Sequence, residues 1–151
     1  MRQCPYTAYC EPRLITEPRY REWLKQFPPE KLRINRYVEP QQGDVVLGTG
    51  QKLTRFCTEK KILHLFYAGF ATNICVQFRD YGCRALRESG YNVILLRDCT
   101  TGIEVSQTVA SLDMTNAAIR NIEMKVGTST TGEMLRQACE HLVAAGVLLG
   151  N

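Results

Sequence analysis

The sequence predicts an α/β protein, a three-layer α/β/α sandwich built on a mainly parallel sheet. Two near-continuous apolar stretches, residues 62–70 and 91–96, have the length and composition of strands buried on both sheet faces. Segments of helical period stand between and after them, at 72–89 and 105–121. Strands separated by helices of this length pair in parallel through right-handed crossovers. At 151 residues the chain is long enough for one domain with a real core and too short to argue for two.

Taken in order, residues 1–43 hold all six prolines and read as an irregular segment around one short helix, 18–27. Tyr20, Trp23, Leu24 and Phe27 share one face of that helix, a pattern that serves core packing or an interface. Residues 44–151 form the domain proper. Asp44-Val45-Val46-Leu47 is a short β-like run closed by Gly48-Thr49-Gly50, and a helical stretch follows to Lys61 with Leu53, Phe56 and Cys57 on one face. The strand at 62–70 comes next, with His64 near its start as a packed histidine. The helix over 72–89 stops at Gly90, and the strand over 91–96 follows. After the helix over 105–121, residues 122–126 look strand-like, and 131–145 form a last amphipathic helix with His141 facing outward.

Composition excludes several classes. Hydrophobic residues make up 44% and charged residues 23%, near the average for globular proteins. The net charge of +4 is scattered, which argues against a nucleic-acid partner. No apolar run approaches the roughly 20 residues of a membrane-spanning helix, and no signal pattern opens the chain, so a cytoplasmic protein without a membrane partner is expected. Seven cysteines without a C-x-x-C pair and only two histidines fit neither a disulfide framework nor a metal site. No cofactor is expected. Gly127-Thr128-Ser129-Thr130-Thr131-Gly132 continues into Glu133 and Met134, where a phosphate-binding loop needs Lys and Ser or Thr. Its plainer reading is a helix cap by Thr130 or Thr131. Arg79, Arg84 and Arg87 read as a solvated face or as subunit contacts.

In a parallel sheet the ligand site lies beyond the carboxyl ends of the strands. There, Gly69-Phe70-Ala71-Thr72-Asn73-Ile74-Cys75-Val76 joins the most apolar strand to a helix and puts Cys75 in the first helical turn. Free N–H groups at such a place favour a thiolate and can donate to an oxyanion. This motif resembles the nucleophile loop of the isochorismatase-like cysteine hydrolase superfamily, which includes isochorismatases and nicotinamidases. Pro40-Gln41-Gln42-Gly43-Asp44-Val45-Val46, Arg84-Ala85-Leu86, Gly90-Tyr91-Asn92-Val93, Arg97-Asp98-Cys99-Thr100 and Gly127-Thr128-Ser129-Thr130 fit that family's order. The resemblance runs from about residue 40 to the C-terminus.

The resemblance implies a Rossmann-like fold and hydrolysis of an amide, carbamoyl or related C–N bond of a small molecule. Cys75 would be the nucleophile, forming a covalent intermediate that water releases. It also implies a cis peptide between Phe70 and Ala71, with the Ala71 and Cys75 amides as the oxyanion hole. Thr72 and Asn73 would hold the turn or contact substrate. Homo-oligomers are implied as well.

The chain departs from the family pattern in two respects. No aspartate general base is found in residues 1–43, and no lysine stands after Leu47; Lys52 falls inside the helix that follows. The strand that carries that aspartate is absent with it, so the first strands of the sheet are expected to be missing. A truncated product, completion by another subunit, or a rearranged N-terminal region would each account for this. Asp98 and Glu104 are candidates for a substitute base, with helix or turn capping as the alternative for Asp98. Two functions therefore stand side by side: a cysteine hydrolase, and a non-catalytic or truncated member acting as an assembly subunit.

Overall fold

A computed structural model describes residues 36–147 together with Pro18, Glu22, Lys25, Gln26 and Ile34. Those first four isolated positions are helical; the rest of the helix expected over 18–27, including its aromatic stripe, lies outside the described residues. The chain divides into two units, Met1–Leu47 and Gly48–Asn151. In the first, a 3-10 turn spans Arg36–Val38. The Asp44 carboxylate then accepts from the Gln41 amide at 2.9 Å and closes a turn through Gly43. Asp44-Val45-Val46-Leu47 enters no sheet, and Val45 and Val46 are exposed. The expected β-like run there is corrected.

The second unit runs α1 (Gly50–Glu59), β1 (His64–Phe70), α2 (Cys75–Phe78), α3 (Cys83–Glu88), β2 (Asn92–Thr101), α4 (Asp113–Lys125), β3 (Thr128–Thr130) and α5 (Gly132–Ala144). The three strands form one all-parallel sheet in the order β1-β2-β3. This is the α/β class that strand and helix alternation predicts.

Both crossovers step in the same direction across the sheet, so right-handed connections carry their helices to the same face. That face holds the core. Val93 and Leu95 of β2 are fully buried, and they pack with Cys57 of α1, Cys83 and Leu86 of α3, and Ile122 of α4. Leu65 and Tyr67, the β1 partners of Val93 and Leu95, join from the side. Residues that alternate with these point the other way. Phe66 is 45% exposed and Ile94 is only half-buried.

Several boundaries differ from expectation for physical reasons. Among the described residues β1 pairs on one side only, and most of its side chains are exposed, so the apolar run at 62–70 is not buried on both faces. His64 is correspondingly exposed, its Nδ1 2.8 Å from the Asn92 amide nitrogen, and is not a packed core histidine. The helix expected over 72–89 is two short helices, because Arg79 and Gly82 adopt extended backbone between them. Gly82 permits this close turn: a Cβ there would stand 2.9 Å from the Gln77 carbonyl. The helix expected over 105–121 begins only at Asp113 after a series of turns and runs on to Lys125. Residues 122–125 are therefore helical with Val126 as the cap that ends the helix, and the strand is displaced to Thr128–Thr130. Ile122 faces the core from the last turns of α4 and Val126 packs on it as the capping residue, a spacing that period-2 reading of five residues cannot separate from a strand.

The chain comes so close at Gly127 that an added Cβ would lie 2.2 Å from the Val93 carbonyl oxygen. This contact docks the α4 to β3 connection on the core strand. Capping follows the local sequence. Thr49 caps α1 by accepting from the Lys52 amide, and Thr131 caps α5 by accepting from the Met134 amide at 3.1 Å, as the helix-cap reading anticipates. Gly90, at φ 92°, ends α3 with its amide bonded to Arg87 and that of Tyr91 to Leu86.

A one-sided core makes a direct prediction. Leu95→Ala should cost about 2–5 kcal/mol, because it opens a cavity among fully buried groups. Phe66→Ala, on the opposite face, should cost less than about 1 kcal/mol. Urea unfolding of the two variants checks this, and equal losses would mean that both faces carry a core.

Candidate functional site

The carboxyl end of β1 leads into residues 69–76, and the backbone there turns sharply. Gly69 has φ 110°, a conformation that favours glycine, and the Phe70–Ala71 peptide is cis. The Ala71 carbonyl then accepts from both the Ile74 and Val76 amides, at 3.0 and 3.1 Å, which folds the loop onto the start of α2. Cys75 is the first residue of α2 and is half-buried. Ala71 and Thr72 beside it are fully buried.

Three ties hold this loop against the end of β2. The Thr72 amide donates to the Thr101 carbonyl at 2.9 Å. The Thr100 hydroxyl donates to the Gly69 carbonyl at 2.7 Å, and Thr72 Oγ1 lies 2.6 Å from Thr100 Oγ1. Since the single Thr100 proton is committed to Gly69, the Thr72 hydroxyl is the donor to Thr100. On the far side, Asn73 and Ile103 exchange two hydrogen bonds: Asn73 Nδ2 donates to the Ile103 carbonyl and the Ile103 amide donates to Asn73 Oδ1, both at 2.9 Å. The polar groups of the Thr72 and Asn73 side chains are thus engaged within the loop's own support.

β2 reaches the loop through an irregularity. Tyr67 pairs with Leu95, but two residues later Gly69 pairs with Thr100, so β2 carries three extra residues in this interval. Leu96 pairs instead with Thr130 of β3. The shift carries Arg97, Asp98 and Cys99 out of the β1 ladder and returns Thr100 and Thr101 to it.

A second support comes from the helices. Gln77 is almost fully buried; its Nε2 donates to the Thr72 carbonyl at 3.0 Å, and its Oε1 accepts from Arg84 Nε and Nη2 at 3.2 and 3.1 Å. Arg84 also donates to Asn121 of α4 and lies 5.2 Å from the Phe78 ring centroid. Arg84 is half-buried and ties α2, α3 and α4 together, so its assignment to a solvated face is corrected; Arg87 is exposed.

The candidate bases are both committed to helix termini. Asp98 Oδ1 accepts from the Gly132 amide at the start of α5, at 2.7 Å, and that bond first of all holds its carboxyl below the usual range. Glu104 accepts four hydrogen bonds, from the Thr108 and Thr115 hydroxyls and the Met114 and Thr115 amides. Partial burial pushes its carboxyl up, but those bonds outweigh it and hold it down at about 2. Lys52 lies inside α1 and is exposed. Among the described residues, no hydrogen-bond partner for Cys75 Sγ is found, and neither the Ala71 nor the Cys75 amide donates a hydrogen bond.

The described cysteines are free, with Cys57 and Cys83 buried and Cys99 and Cys139 exposed. Burial pushes the Cys83 thiol up to about 11, which leaves it inert as a nucleophile. No group of three or more His, Cys, Asp or Glu among the described residues is arranged to hold a metal ion. No helix among them is long and apolar enough to cross a membrane.

Sequence reasoning singled out Cys75, Ala71, Thr72 and Asn73, which the fold gathers in one loop. It missed Thr100, Gln77, Gly102 and Thr115. Gly102 carried a usable signal, since a glycine directly after a strand often marks close backbone approach; a Cβ there would stand 3.1 Å from Asn73 Cγ.

This parallel sheet with a cysteine loop at its carboxyl end is consistent with the isochorismatase-like α/β fold. The chain matches the isochorismatase domain over residues 7–131 and belongs to the isochorismatase family. The match begins well before residue 40, so family likeness includes part of the N-terminal segment that the motifs alone had left outside. No curated protein matches the chain.

Glu104 supplies a pH dependence. Its folded value lies below the 4.5 of an unperturbed glutamate, so it contributes stability above about pH 4.5 that is lost as pH falls towards about 2. Glu104→Gln should lower the thermal midpoint at neutral pH and flatten its decline between about pH 5 and about pH 3. Thermal scans across that range check it.

Proposed function

We propose that this protein is a cysteine hydrolase that cleaves a C–N bond, of amide or carbamoyl type, in a small molecule, with Cys75 as nucleophile. The observation that carries the reading is the conjunction at residues 71–75. A half-buried thiol stands at the start of a helix, beside two backbone amides, of Ala71 and Cys75, that donate no hydrogen bond among the described residues. An uncommitted pair of donors beside a nucleophile suits the developing oxyanion of acyl transfer.

In the reaction, the Cys75 thiolate attacks the carbonyl carbon and its electron pair forms the C–S bond. The carbonyl π electrons move to oxygen, where the Ala71 and Cys75 amides receive the charge. Collapse of the adduct breaks the C–N bond, and the leaving nitrogen takes the proton that the thiol gave up. Water then attacks the thioester and returns the thiol with release of the acid. A four-residue helix has only a small macrodipole, so local N–H groups rather than a long-helix field would stabilise the charge. Thr72 and Asn73 act as supports of the loop in this reading.

One observation favours a second reading, a non-catalytic isochorismatase-domain subunit of an assembly. Both carboxylates weighed as bases are used as helix caps, and no base contacts Cys75 among the described residues. Iodoacetamide labelling with mass-spectrometric mapping separates the two. The hydrolase reading expects Cys75 to react at pH 7 at least about tenfold faster than exposed Cys139, and amide turnover to vanish in Cys75→Ser. Labelling at Cys75 no faster than at Cys139 would sink it.

A further inference from the structure

Glu104 is the most heavily hydrogen-bonded carboxylate among the described residues, and helix capping accounts for only part of its bonding. Oε2 accepts from the Met114 amide at 3.1 Å and from Thr108 Oγ1 at 2.6 Å. Oε1 accepts from the Thr115 amide at 2.8 Å and from Thr115 Oγ1 at 2.6 Å. Each carboxylate oxygen therefore holds two donors, which leaves Glu104 unsuited to take a proton from a substrate or thiol.

The consequence passes through Thr115, which is only 4% exposed. A threonine hydroxyl has one proton, and here it goes to Glu104. Its oxygen is then left as an acceptor, and it receives the Gly102 amide at 2.9 Å. Gly102 is buried and precedes Ile103, whose amide and carbonyl make the reciprocal pair with Asn73. A continuous chain of short polar contacts thus runs from a fixed negative charge to the loop that bears Cys75. The Gly102 Cα is hemmed in from both sides, since an added Cβ would meet Asn73 Cγ at 3.1 Å and Thr115 Oγ1 at 3.2 Å.

We propose that Glu104 is a positioning residue for the cysteine loop, setting the Thr115 hydroxyl as an acceptor so that Gly102 and Ile103 present both backbone groups to Asn73. Its importance for catalysis rests on the reading of Cys75 as nucleophile, whereas the anchoring itself does not. The charge matters because it dictates the direction of the Thr115 proton. A neutral glutamine fills the same space but offers one acceptor oxygen in place of two. Thr115→Val removes the relay and leaves the Glu104 carboxylate in place.

The test uses the full chain and two readouts: native-state hydrogen exchange at the Gly102 and Ile103 amides, and the alkylation rate of Cys75 relative to Cys139 in the same digest. Glu104→Gln and Thr115→Val should each raise exchange at Ile103 about tenfold beyond any rise at Val93 and Leu95. Both should also change the Cys75 to Cys139 rate ratio by at least about threefold, and Thr115→Ser should stay near the parent in both readouts. Exchange at Ile103 that rises only in step with Val93 and Leu95 is loss of global stability and overturns the proposal. So does a Cys75 ratio that stays at the parent value while Ile103 loosens, or a Thr115→Ser variant that behaves like Thr115→Val. If Cys75 in the parent reacts no faster than Cys139, the hydrolase reading fails, and exchange at Ile103 still decides whether Glu104 anchors the loop.

Discussion

The structure of the site depends on the tie between the end of β2 and the loop that leaves β1. One carbonyl, that of Thr101, and one hydroxyl, that of Thr100, make three hydrogen bonds that fix the backbone from Gly69 to Thr72. Without them a buried Thr72 would carry unsatisfied polar groups, each costing about 1–3 kcal/mol. The three-residue register shift in β2 is what brings Thr100 and Thr101 opposite Gly69 and Phe70. A regular ladder would have placed Arg97 and Asp98 there instead. The irregularity therefore divides the labour of one strand: Val93 and Leu95 build the core, Asp98 caps α5, and Thr100 and Thr101 support the loop.

Among the described residues, the bonds that hold the loop come from residues 69–121. Gln77 reaches it from α2 and is held in turn by Arg84 of α3, Asn73 reaches Ile103, and Thr115 and Glu104 continue that line into α4. The edge of β1 away from β2 pairs with no strand among the described residues, and Phe66 and Phe70 stand 45% and 64% exposed. An exposed apolar edge strand is a place where another strand can add. Among the described residues, the bonds that shape residues 69–76 all come from the β2 end, α2 and the Gly102–Ile103 segment.

Legibility in the sequence followed the range of the determining interaction. Parallel strand and helix alternation is written in apolar patterns of ten to twenty residues, and β1, β2, α1 and α5 emerged near their observed positions. The cysteine loop was legible because a glycine, a short polar stretch and a cysteine occur in one continuous motif after a strand. Burial was less legible. Residues 62–70 are apolar enough for a central strand, yet among the described residues they pair on one side only, and composition cannot report which strands are adjacent. The misplaced third strand has a similar cause: Ile122 in α4 and Val126 at its cap both pack on the core, while Thr128–Thr130 pairs with β2 although its side chains are small and polar. The supports of the loop were invisible for a stronger reason, since Thr100 and Gln77 act across sequence gaps of 28 and 5 residues. Their hydroxyl and amide groups have no local signature.

The two acidic residues illustrate how the same chemistry can be spent in different ways. A general base needs a lone pair directed at the reacting proton and a pKa not far from the working pH. Asp98 and Glu104 fall short on both counts: their oxygens accept from a helix amide in one case and from the Thr108 and Thr115 hydroxyls and two helix amides in the other, and those bonds hold the carboxyls in the ionised, weakly basic form. Such carboxylates stabilise positive partial charge at helix N-termini, which is a structural service. For Glu104 that service extends further, because the helix start it caps includes Thr115, whose hydroxyl bonds directly to the Gly102 backbone. A residue with the wrong basicity for proton transfer can thus still govern the geometry on which a nucleophile depends. Low basicity is even an advantage in that role, since the charge that orders the relay persists at every pH where a thiolate could act.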